Sequence, residues 1–81
     1  MLAFNLDTLQ TASAFVKICE RYTDLIIDVG WGRYIVDGKS ALGVMALIGN
    51  IVRVEVVNWE KYPEQYKEFV KELERYGREH G

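Results

Sequence analysis

Eighty-one residues with 49% hydrophobic and 27% charged side chains describe one globular domain, residues 1–81, with a single core; a two-domain enzyme and a disordered chain are excluded. A formal net charge of −2 with scattered Lys and Arg lacks the footprint of a nucleic-acid binder. Cys19 alone cannot form an internal disulfide, and with His80 as the only histidine a zinc site cannot be assembled, so no metal or cofactor is expected.

No secretory pattern opens the chain and no apolar run approaches the ~20 residues needed to span a bilayer. The expectation is a cytoplasmic protein without membrane contact. Met1 to Leu6, short and mostly apolar, reads as a first strand. Asp7 offers an N-cap with Gln10 as its capping-box partner, and Leu9, Ala12, Val16 and Cys19, with Phe15 beside them, predict a helix from about Thr8 to Arg21. Leu25 to Val29 and Arg33 to Asp37 are rich in β-branched and aromatic residues, and Gly30-Trp31-Gly32 between them predicts the turn of a hairpin.

The run from Ser40 to about Ile48 is too apolar for a solvated helix and stops at Gly49-Asn50; part of it should be buried and part should face a partner. Ile51 to Asn58 alternates, with Val52, Val54 and Val56 on one face and Arg53 and Glu55 on the other. The last helix begins near Tyr62-Pro63 and carries Tyr66, Phe69, Val70 and Leu73 as its apolar stripe. The order βαββαβα with helices able to cover one sheet face indicates a two-layer α+β sandwich, mostly antiparallel. Its strand order does not follow from these patterns.

The junction at Ser40 carries the functional reading. A serine at a helix N-cap accepts from a free backbone N–H, and a phosphate added there meets the same donors. Gly38-Lys39-Ser40 also invites a phosphate-loop reading, which the spacing rejects: Arg33 stands where the first loop glycine belongs. His80, next to the C-terminal residue in a segment expected to fray, leaves catalytic dyads without their histidine, so an enzyme is not expected. Trp31 between two glycines either projects as a contact anchor or folds back onto its sheet. Trp59 and Tyr62 read as a packing corner, and Glu60, Glu64, Glu68, Glu72 and Glu74 as exposed ion-pair partners of Lys61, Lys67 and Lys71.

Asp37-Gly38-Lys39-Ser40, followed by Leu42-Gly43-Val44-Met45 and Leu47, is similar to the segment around the regulatory serine of HPr, the histidine-containing phosphocarrier of the bacterial phosphoenolpyruvate:sugar phosphotransferase system. Phe15-Val16-Lys17 and Tyr22-Thr23 resemble the family at their own places, and the likeness runs from about Phe15 to Tyr76. It implies an open-faced sandwich, a four-stranded antiparallel sheet covered on one face by three helices. Aligned on Phe15-Val16-Lys17, Thr8 falls where the family carries its phosphoryl-accepting histidine, Gln10 at the arginine and Thr11 at the proline, with no histidine near.

A threonine phosphoester is a poor phosphoryl donor, so Thr8 cannot replace a histidine nucleophile. The resemblance therefore implies an HPr-like regulatory protein that does not relay phosphate. Ser40 would be modified by an ATP-dependent HPr kinase, as in Gram-positive bacteria, and read by a transcription regulator or other phosphotransferase-system components. Lys39, Ala41, Leu42, Met45 and Trp31 form the expected partner surface. The alternative is a constitutive structural or scaffolding domain in which Ser40 is only a cap. The oligomeric state is not fixed by the sequence.

Overall fold

The computed structural model describes residues 2–80. Met1, expected in the first strand, and Gly81 lie outside the described residues. Strand β1 (Leu2–Leu6) leads into helix α1 (Leu9–Glu20), the hairpin β2 (Ile27–Trp31) and β3 (Tyr34–Asp37), the short helix α2 (Ala41–Met45), β4 (Asn50–Val56) and α3 (Pro63–His80). This is the expected α+β order. The sheet order is β1-β4-β2-β3, antiparallel at every pairing.

Alternation sorts the sheet into two faces. Phe4 and Leu6 of β1, Ile27 and Val29 of β2, and Val52, Val54 and Val56 of β4 are buried beneath the helices. Ala3, Asn5, Ile51, Arg53, Glu55 and Ile35 alternate with the buried positions and are exposed on the other face. The helices contribute Ala12, Phe15, Val16, Ile18 and Cys19 from α1, Val44 from α2, and Phe69 and Leu73 from α3. Phe4 packs on Phe15 at a ring separation of 5.0 Å, and Tyr22 meets Phe69 edge-on at 5.4 Å. Each fully buried aliphatic or aromatic side chain of this set contributes roughly 1.5–3 kcal/mol.

Several local expectations are corrected. The N-cap of α1 is Thr8 rather than Asp7: Thr8 has extended backbone, φ −137° and ψ 166°, and its hydroxyl accepts from the Thr11 N–H at 3.1 Å. Gln10 therefore sits inside the first turn and takes no part in a capping box with Asp7. Leu9, expected on the apolar stripe, is exposed, and Ile18 takes a buried place instead.

In the hairpin, Gly30 and Trp31 belong to β2 and only Gly32 and Arg33 form the turn, with Gly32 at φ +58°. Gly30 has a different task from a turn glycine. A Cβ there would lie 2.7 Å from Nη2 of Arg53, whose guanidinium crosses the strand to donate to the Gly32 carbonyl at 3.0 Å. Helix α2 also ends earlier than expected, and Leu47 is buried in the turn that follows it.

Polar and aromatic contacts tie α3 to the rest. Glu72, expected in exposed pairs along its own helix, instead accepts from the Tyr22 hydroxyl and pairs with Arg21. Tyr76 packs on Phe4 at 6.1 Å and carries the His80 ring at 4.2 Å, so an aromatic series Phe15, Phe4, Tyr76, His80 runs from the core to the last turn of α3. Trp59 packs on Tyr66 at 5.6 Å and remains half-exposed, while Tyr62 packs against the core and its N–H donates to the Trp59 carbonyl at 3.2 Å.

Candidate functional site

The bend between β3 and α2 is built by backbone groups before any functional side chain enters. Ser40 N–H donates to the Asp37 carbonyl at 2.9 Å and Gly38 N–H donates to the Ile27 carbonyl at 2.8 Å. The Asp37 carboxylate accepts from the Lys39 N–H at 2.9 Å. Gly38 is required by packing, since a Cβ there would stand 2.9 Å from Ile27 Cγ2 and 3.2 Å from Cys19 Sγ. The bend is thus pressed onto α1 and β2.

Ser40 caps α2 as expected. Its backbone is extended, φ −94° and ψ 109°, and Oγ accepts from the Gly43 N–H at 3.3 Å. The residue is exposed, and the first turn of α2 carries no acidic side chain to oppose a negative charge. Gly43 brings the helix down on β3, where its missing Cβ would lie 3.0 Å from Val36 Cβ. Val44 is buried by this approach, while Ala41 is exposed, Leu42 is 83% exposed and Met45 is 40% exposed.

Lys39 does not turn toward Ser40. Its ammonium donates to the Leu25 carbonyl at 2.7 Å and to the Thr23 carbonyl at 3.3 Å, on the segment between α1 and β2. It acts as a strut under the bend, its ammonium engaged by backbone carbonyls rather than turned to the Ser40 hydroxyl. Trp31, at the far end of β2, stacks on Tyr34 with ring planes 9° apart and keeps 43% exposure. The ring lies beside its cross-strand neighbour and is neither folded fully onto the sheet nor fully free.

Thr8 and the histidine give the sharpest revision. Thr8 is fully engaged as a cap, accepting from Thr11 N–H and donating to Thr11 Oγ1 at 3.1 Å. His80 does not hang free at the chain end. It lies in α3 and lines clefts together with Asp7, Gln10 and Thr11, the residues flanking Thr8. Sequence separation hid this approach, because three of the four strands lie between Gln10 and His80 in the chain and the apolar stripe read from the sequence stops at Leu73.

Burial pushes the Cys19 thiol up from 9.0 to about 12, the charge of Lys39 opposing this and that of Asp37 adding to it. At neutral pH it is a packed apolar group rather than a nucleophile. Among the described residues, no group of three or more His, Cys, Asp or Glu side chains is placed to hold a metal ion. Among the same residues no helix is long and apolar enough to cross a membrane.

No family model matches the chain, and no curated protein matches its sequence. Among solved structures it is similar to the crystal structure of HPr-C-His from Thermoanaerobacter tengcongensis, with a TM-score of 0.66 and 22% identity over 90% of this chain and 89% of that one. The fold is therefore that of HPr: an open-faced sandwich of four antiparallel strands with three helices on one face.

Proposed function

We propose that this chain is a protein-binding regulatory module on the HPr fold, related to the phosphocarrier of the sugar phosphotransferase system, with Ser40 as its point of control. The observation that carries the reading is the exposed cap at Ser40 leading directly into α2, on which Leu42 and Met45 are exposed. A phosphate there would add about two negative charges beside an apolar patch, meeting the free N–H groups of the first helical turn. The partner surface comprises Ala41, Leu42 and Met45, with Trp31 as a separate anchor. Lys39 serves it by holding the bend in place.

Thr8 takes the position of the family's histidine, with Gln10 at the arginine, and a capping threonine is no phosphoryl carrier. The module is accordingly not an enzyme and not a relay. Its setting is the cytoplasm, and its partners are an HPr kinase and a transcription regulator or other phosphotransferase-system protein. Neither nucleic acid nor membrane is contacted directly, and no cofactor is needed.

Intact mass after incubation with ATP and a Gram-positive HPr kinase, beside Ser40→Ala, tests the control point: one phosphate, lost in the variant, is expected. No phosphate would make Ser40 a cap alone and favour constitutive binding through the same patch. Incubation with phosphoenolpyruvate and enzyme I tests the other half. An acid-labile phosphoryl group, on His80 above all, would overturn the non-carrier reading.

A further inference from the structure

A groove of about 600 Å³ separates α1 from α3, walled by Leu9, Gln10, Ser13 and Lys17 on one side and by Tyr76 and His80 on the other. Past Ala14 and Lys17 it continues into a cleft of about 270 Å³ where Arg21, Glu72, Arg75 and Glu79 meet. Glu72 is committed to Arg21 and the Tyr22 hydroxyl. Among the described residues Lys17 and Arg75 form no ion pair, so along these walls Glu79 stands against two unpaired cations, while Asp7 lies in the adjoining cleft that shares Tyr76 and His80. A locally positive groove on a chain of net charge −2 is a departure from the rest of the surface.

From this arrangement we infer that the α1–α3 groove is a binding site for a small organic phosphate. The ammonium of Lys17 and the imidazole of His80 stand on opposite walls, with the Gln10 amide and the Ser13 hydroxyl available beside them. Four donors on two walls suit the terminal oxygens of a phosphate better than the two oxygens of a carboxylate. Stacking on Tyr76, itself seated on Phe4, holds the His80 ring at the groove mouth. Leu9, Ala14 and the Tyr76 ring supply an apolar bed for the organic part of the ligand. The volume falls within the ~300–1,000 Å³ usual for small-molecule sites. The site is independent of Ser40 and of the α2 surface.

Titration of the full chain with phenyl phosphate at constant ionic strength, followed by amide NMR shifts, tests this. Saturable shifts are expected over residues 9–17 and 76–80, with inorganic phosphate binding more weakly and phenol producing none at the same concentration. Lys17→Gln and His80→Gln, both at exposed positions, should keep the thermal midpoint and together weaken binding by about tenfold or more. Leu42→Ala should leave it unchanged. Shifts that rise linearly without saturation, that chloride reproduces, or that survive the double substitution would overturn the site.

Discussion

The ammonium of Lys39 donates to the Leu25 carbonyl at 2.7 Å, across fourteen positions of sequence, and so ties the bend before α2 to the segment that follows α1. A cation placed beside a serine in the sequence is thereby turned into a brace for the turn that presents that serine. Replacing it by methionine, which keeps the stem and removes the charge, should lower stability by about 1–2 kcal/mol, the size of a partly exposed charge-assisted hydrogen bond. Urea denaturation reads this directly; an unchanged midpoint would mean that the ammonium is free in solution.

Two glycines separate packing from tolerance. Gly38→Ala drives a methyl into Ile27 Cγ2, Cys19 Sγ and the Ile27 carbonyl, which are fixed by the core. A loss of about 1–3 kcal/mol is expected. At Gly30 the obstacle is the end of the Arg53 side chain, which can swing away. Gly30→Ala should cost under about 1 kcal/mol, because strand propensity offsets the lost guanidinium contact. Equal losses at the two positions in chemical denaturation would contradict the geometry.

The cap assignments make a third test. Ser40→Ala and Thr8→Ala should each cost about 0.5–2 kcal/mol, while Asp7→Ala, one residue before the true cap of α1, should cost less than Thr8→Ala. Thermal melts of the three variants suffice, and Ser40→Asp, which keeps a capping oxygen, should recover most of the loss seen with alanine.

Alkaline pH should destabilise the fold. The Cys19 thiol is raised from 9.0 to about 12 by burial, and the Tyr22 hydroxyl is raised above its ordinary 10.0 by burial and then by Glu68, against Arg21 and Arg75. Both groups hold their protons more tightly folded than unfolded. Their contribution is therefore complete below pH 9 and is lost as pH rises from there toward 12. Melting midpoints should be flat with respect to these groups up to about pH 9 and fall above it; Cys19→Ser should flatten part of that fall. A thiol reagent at about pH 8 should label the unfolded chain and spare the native one.

What the sequence disclosed tracks how local the cause is. Val52, Val54 and Val56 announce β4 because alternation against Arg53 and Glu55 has one physical explanation. The Ser40 cap and the stripe at Phe69 and Leu73 are similarly local. Asp7 and Thr8 both suit an N-cap, and a one-residue offset leaves no mark in the hydrophobic pattern. Gly30 resembled a turn residue because its reason, the Arg53 side chain crossing overhead, belongs to another strand. Glu72 with Arg21, Lys39 with Leu25, and His80 beside Gln10 are tertiary meetings, and each became visible only once the sheet order set α1, the bend and α3 side by side. The Ser40 cap was accordingly legible, whereas the α1–α3 groove was not.

The strand order β1-β4-β2-β3 seats the last strand of the chain in the interior of the sheet. Until Asn50–Val56 has been synthesised, β1 has no neighbour and β2 with β3 is an isolated two-stranded ribbon, which is marginal in water on its own. Everything before Gly49 must therefore wait, with the apolar faces of α1 and α2 uncovered, for one late insertion that closes both gaps at once. On the ribosome the sheet is acquired all together once β4 has emerged, and a cut after Gly49 separates β4 from all three strands it holds together, leaving no smaller version of the fold.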